Sequence, residues 1–178
     1  MTSVARLLRF DSGTWRGHVA EGSLTSAVLV AMGAYAILAF DRFGVQGVMS
    51  PRGTVRMLLT GFYGWLWLAV AAWLLGRWIF TTDASFGTVF RLYGYAHLPL
   101  LVLAIAIQIF AVFAQVLGPS MVIGIFVGLF WLPTMLVAAT RQALDLDWIK
   151  AAAIVAGPYL VWLLIVGRSL YTQVGHLL

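Results

Sequence analysis

The chain contains no cysteine. Disulfides, iron–sulfur clusters, thiolate zinc sites and cysteine nucleophiles are therefore excluded. Charge is nearly as scarce. Asp, Glu, Lys and Arg make up 10% of the residues, against about 25% in a water-soluble domain whose surface must be wetted. The composition is 62% hydrophobic and the mean hydropathy is +0.97. Too few polar side chains remain to cover a water-facing surface, so the surrounding solvent is read as lipid. Lys150 is the single lysine among 11 basic residues, an arginine bias read as that of a GC-rich bacterial genome.

Catalytic signatures are missing as well. The sequence has no Walker lysine motif, no H-E-x-x-H and no G-x-S-x-G. No catalytic residue and no metal site is expected. The net charge of +5 and pI of 10.1 could point to nucleic acid. The arginines, however, stand singly between apolar runs instead of forming a basic stripe. They are read as cations flanking a membrane, among anionic headgroups, and no nucleic-acid partner is expected.

What the sequence does have is long apolar runs. Residues 22–40 are uncharged and follow Arg6, Arg9 and Arg16. With Ala34-Tyr35-Ala36 they imitate a signal peptide, but are read as a retained first span. Residues 57–76 give twenty uncharged positions, about the number an α-helix needs to cross a ~30 Å hydrocarbon core. Trp65, Trp67, Trp73 and Trp78 lie on or beside this run, and Trp78 falls where an aromatic belt forms.

Between Leu92 and Thr140, 49 residues pass without a charge. One helix of that length would reach about 73 Å at 1.5 Å per residue. Gly118-Pro119-Ser120 divides it, predicting antiparallel spans over 96–117 and 120–139 with a tight hairpin between them. A last span covers 150–168, with Pro158 near its middle, where neighbouring helices can re-satisfy the freed carbonyl. The expected fold is all-α: a single membrane domain over 1–178, an integral bundle of about five transmembrane helices. Residues 1–21 form a short cytoplasmic or interfacial segment.

Orientation follows from the short loops. Arg6, Arg9, Arg16, Arg77, Arg91, Arg141 and Lys150 fall on one side, and Arg42, Arg52, Arg56 and Arg168 on the other. The excess places the N-terminus in the cytoplasm and the C-terminus outside. Asp83 is expected to cap a short helix from about Ala84, on which Phe86, Val89, Phe90 and Tyr93 repeat at helical spacing. That helix could lie in the membrane interface and run into the third span. Asp145, Asp147 and Lys150 are read as a solvated loop capping the last helix rather than as an acid–base pair.

Inside the spans, four features call for comment. His97 is the single histidine near a span. Its neutral imidazole could ligate a haem or chlorophyll metal, or simply hydrogen-bond a neighbour at the mouth of the third span. Gln108 and Gln115, seven apart, share a helical face and are read as hydrogen-bonding glue between helices, with a polar path as the alternative. Ser120, Gly124 and Gly128 recur every fourth residue, a small-residue seam for close backbone approach, internal or to a partner. No Asp or Glu lies in any span, which argues against an ion-coupled pump.

The stretch FGTVFRLYGYAHLPLL, Phe86 to Leu101, resembles the core of the Yip1 domain family. It has a short aromatic helix carrying an arginine, then Gly94-Tyr95-Ala96, then Pro99 opening an apolar span. The following order of span, tight turn, span, polar loop (140–148) and final span is similar too. The resemblance implies a five-span bundle with a cytosolic N-terminus and no catalytic residues. Eukaryotic members bind small GTPases, and their long N-terminal region has only residues 1–21 as its counterpart here. Bacterial members are small inner-membrane proteins, some partnering transporters.

The expected function is a non-enzymatic scaffold or accessory subunit of a bacterial cytoplasmic membrane, packed against other membrane proteins or itself. No cofactor is expected beyond bound lipid. The alternatives are a small transporter or lipid-handling protein, and a subunit of a pigment- or haem-containing complex.

Overall fold

The computed structural model describes residues 23–39, 51–113 and 126–174. Among them the chain forms α1 (Leu24–Ala39), α2 (Pro51–Ile79), α3 (Phe86–Ala96) and α4 (Leu98–Phe113). A π-helical turn, Val127–Trp131, then leads into α5 (Leu132–Leu144), followed by α6 (Trp148–Val174). No strand occurs among the described residues. The fold is an all-α membrane bundle. Segments Leu58–Ile79, Phe86–Ala106 and Trp148–Ile165 are long and apolar enough to cross a bilayer, and Leu24–Ile37 is a shorter apolar helix. The hairpin expected at Gly118-Pro119-Ser120, like residues 1–21, lies outside the described residues.

The third apolar stretch starts at Phe86, not near residue 96. Of the most apolar eighteen-residue window of this stretch 67% is buried, against 39% in the α2 segment and 33% in the α6 segment, so α3–α4 is the axis of the bundle. The sequence suggested an interfacial helix here, but Val89, Leu92, Tyr93 and Ala96 belong to the core. Arg91 lies on α3, not in the preceding loop. One charge among so many apolar residues looks like a loop boundary, yet packing on all sides lets the helix continue past it. The cap differs too. Ser85, not Asp83, is the N-cap, accepting from the Thr88 N–H at 3.2 Å.

The axis is broken at one residue, His97. Pro99 has no N–H to offer the Tyr95 carbonyl, and its ring crowds that carbonyl. His97 instead closes the turn on the Gly94 carbonyl at 3.2 Å, and regular bonding resumes with the Leu101 N–H to the His97 carbonyl at 3.1 Å. Around this axis α1 packs along α4, α5 along α3, and α2 runs antiparallel to α3 with Trp65 and Trp73 toward it.

Lipid tails are as apolar as leucine, so helices in a membrane hold together by close packing and interhelical hydrogen bonds. Both are visible. Trp65 stacks on Phe90 with centroids 4.0 Å apart and planes 9° apart, and donates its indole N–H to the Phe90 carbonyl at 3.0 Å. Trp73 donates to the Ala84 carbonyl at 3.0 Å, and Trp67 to the Pro158 carbonyl at 3.1 Å. At the α5–α6 corner Asp145 takes a left-handed conformation (φ 51) that ends α5. Asp147 accepts from the Lys150 N–H at 2.9 Å and pairs with its ammonium at 3.2 Å. This is the helix-capping role its position in the sequence anticipates.

Candidate functional site

The residues of the G-Y-A-H-x-P stretch form a joint where α1, α3 and α4 meet. Gly94 is where α1 and α3 touch: a Cβ at this position would stand 2.7 Å from the Ala27 Cβ and 2.8 Å from the Ala27 carbonyl oxygen. Backbone cannot retreat as a flexible side chain can, so no larger residue fits. Tyr95 donates its hydroxyl to the Ser23 carbonyl at 3.0 Å, tying the joint to the start of α1. Pro99 sets the break at His97. The three positions are one packing device.

His97 is fully buried. Its Nδ1 lies 2.7 Å from the Tyr93 carbonyl oxygen. A carbonyl only accepts, so Nδ1 carries the proton and Nε2 presents a lone pair. Among the described residues Nε2 has no hydrogen-bond partner, nor does the hydroxyl of Tyr35, whose ring centroid is 6.0 Å from the imidazole. Among the described residues no group of three His, Asp or Glu side chains is placed to hold a metal.

A second polar chain crosses the core one turn away. Thr140 donates its hydroxyl to the Leu136 carbonyl at 2.8 Å, so at the 2.6 Å contact with Tyr93 the tyrosine is the donor. Both residues are buried. No sequence motif marks this pair. A threonine closing the long uncharged run was its one trace in the sequence.

The other expected positions are scattered. Gln108 falls on α4, with its side chain outside the described residues. Gln115, Ser120 and Gly124 lie outside them altogether. Gly128 is in the π-helical turn, and a Cβ there would meet nothing within 4 Å. Among the described residues nothing stands within reach of a side chain at Gly128. Its contribution is its carbonyl, which accepts from the Tyr159 hydroxyl. Besides Gly94 on α3, close glycine contacts occur on α2, where Gly61 faces the Tyr35 ring and Gly64 the Trp162 indole.

Two surface features were not anticipated. On α6, Ile149, Ala153, Gly157, Val161 and Ile165 are all exposed, as are Ala152, Ala156, Leu160 and Leu164 beside them. These are two adjacent ridges at four-residue spacing, and a Cβ on Gly157 would meet nothing within 4 Å. The spacing A-x-x-x-G at Ala153–Gly157 was the available signal, overshadowed by Pro158. The second feature is a groove of about 600 Å³ between α2 and α6, lined by Val55, Arg56, Leu59, Thr60, Tyr63, Gly64, Trp67, Trp162 and Ile165.

At the α5–α6 corner, the Lys150 N–H and then the Lys150 ammonium hold the Asp147 carboxyl below its usual range. Arg141 and Arg77 lie over the rings of Trp148 and Trp73, at 5.1 and 5.8 Å. Cations and indoles together mark this end of the bundle as a membrane–water boundary.

No curated protein and no solved structure matches the chain. The Yip1 domain, by contrast, matches residues 6–168, taking in the Gly94–Pro99 joint and every helix packed on it, and the chain belongs to the Yip1 domain family.

Proposed function

We propose that the protein is a non-enzymatic membrane scaffold or accessory subunit that packs against other membrane proteins. The observation that carries this reading is the outer face of α6. Over four turns it exposes Ile149, Ala153, Gly157, Val161 and Ile165 along one line, with open space over Gly157. Small residues at four-residue spacing let a partner backbone come close, which drives association in lipid. Within the chain the corresponding close approaches, such as Gly94 on Ala27, are already filled.

The interior supports the same reading. Its tryptophan and tyrosine groups largely bond backbone carbonyls of neighbouring segments, and Thr140 bonds one of its own helix, serving architecture rather than converging on a reaction centre. His97 is enclosed by the joint with Nδ1 committed to Tyr93. In this reading the N-terminus and the ends bearing Arg77, Arg141 and Lys150 face the cytoplasm of a bacterial cell.

The test is purification from native membranes in lipid nanodiscs, with quantitative mass spectrometry of the wild type and Gly157→Leu. A partner subunit, or a second copy, at fixed stoichiometry in the wild type and lost in the folded variant is the expected result. A monomer that carries nothing in either form contradicts the proposal.

A further inference from the structure

The groove between α2 and α6 has a polarity gradient that the scaffold reading does not use. Its mouth is Arg56, exposed and two residues ahead of the apolar segment that begins at Leu58, at headgroup level. Below it the walls are apolar: Leu59, Tyr63 and Trp67 from α2, Trp162 and Ile165 from α6. Thr60 does not compete for an anion with its proton, because its hydroxyl donates to the Arg56 carbonyl at 2.9 Å.

From Arg56 to Trp67 is eleven residues, about 16 Å of helix rise. One leaflet is about half of the ~30 Å core, so the groove runs the depth of a single acyl layer. Its 600 Å³ falls within the roughly 300–1,000 Å³ of sites that hold small molecules. The walls are fixed. Trp67 is tied to the Pro158 carbonyl, and Trp162 is stacked on Tyr159 at 5.4 Å and seated against Gly64. Antiparallel packing also brings the α6 backbone at Arg168, three residues past Ile165, to the end of the bundle where Arg56 lies.

We propose that this groove is a binding site for one anionic phospholipid, its phosphate at Arg56 and an acyl chain along Tyr63, Trp67 and Trp162. A partner helix would fill the apolar walls but leave the guanidinium without a counter-charge. A phospholipid matches both ends. The site does not depend on the scaffold assignment: it lies on the α2 side of α6 and shares with the exposed ridges Ile165 at their end, while Ala153 and Gly157 do not line it.

The experiment is native mass spectrometry of the full chain, titrated with phosphatidylglycerol and with phosphatidylcholine, for the wild type, Arg56→Gln and Arg77→Gln. The expected preference for phosphatidylglycerol is about fivefold, the factor one basic residue gives toward an anionic lipid. It is expected to vanish in Arg56→Gln and persist in Arg77→Gln, a cation at the opposite end of α2. Glycerol phosphate, which has the headgroup charge without chains, should not displace the lipid. In parallel, phosphatidylglycerol with a photoreactive acyl chain should label Tyr63, Trp67 or Trp162 in the wild type, a readout that stands even if a variant folds poorly. Equal binding of the two lipids, a preference that survives Arg56→Gln, displacement by glycerol phosphate, or labelling confined to other helices would overturn the proposal.

Discussion

Gly94 and Ala27 meet so closely that a methyl group on Gly94 would stand 2.7 Å from the Ala27 Cβ and 2.8 Å from its carbonyl oxygen. The contact joins the axis of the bundle to its first helix. Because one side of it is backbone, it cannot be relieved by a rotamer change.

Gly94→Ala should therefore destabilise the bundle by about 1–3 kcal/mol, the usual cost of overpacking, and Gly94→Val by more. Gly157→Ala, into open space, should stay within about 0.5 kcal/mol of wild type. Unfolding in mild detergent, followed by tryptophan fluorescence, compares the three. Equal stability of Gly94→Ala and Gly157→Ala would contradict the packing account.

The buried chain from Tyr93 through Thr140 to the Leu136 carbonyl predicts an asymmetry. Tyr93→Phe removes a donor whose acceptor keeps its own bond, and should cost about 0.6 kcal/mol, the average for such bonds in membranes. Thr140→Val leaves the Tyr93 hydroxyl buried without a partner, and should cost about 1–3 kcal/mol. A double-mutant cycle in detergent measures both. A Tyr93→Phe cost above that of Thr140→Val would reverse the assigned donor direction.

Much of the architecture was legible because lipid imposes a simple rule, about twenty apolar residues per crossing, and the α2 segment obeys it directly. The α3–α4 axis was harder to read. Arg91 looked like a loop charge, and Asp83 looked like the cap although Ser85 holds the Thr88 N–H. Local sequence cannot show that Val89, Leu92 and Tyr93 are surrounded by other helices. Gly94, Tyr95 and Pro99 stood out as a motif, yet their meaning as a close approach, a tether and a helix break needs the partners Ala27 and Ser23, which lie far away in sequence. The α6 ridges and the Arg56 groove were missed for the same reason. What a helix leaves uncovered depends on what the rest of the chain covers.

The α5–α6 corner should be sensitive to acid. The Asp147 carboxyl is held below its ordinary value of 3.8 by the Lys150 N–H and ammonium. A carboxylate depressed in the folded state contributes stability above its unfolded pKa and loses it as pH falls through the folded one. The first turn of α6 should thus hold its amide protection at neutral pH and fray in acid below about pH 4, the ordinary aspartate range. In Asp147→Ala, which removes the accepting oxygen, it should already be frayed at pH 7. Hydrogen exchange of the Lys150 and Ala151 amides reports this, and protection that is the same in Asp147→Ala as in the wild type would exclude the cap.

The absence of cysteine makes the central claim directly measurable, because a single introduced thiol is the only one present. Gly157→Cys and, as a control, Val102→Cys on the exposed part of α4 would be treated in native membranes with a short thiol-to-amine or thiol-to-thiol cross-linker. The scaffold account predicts a discrete adduct of fixed mass from position 157 and none from position 102. No adduct at 157, or the same diffuse products from both positions, would mean that the α6 ridges face lipid alone, and the account would be contradicted.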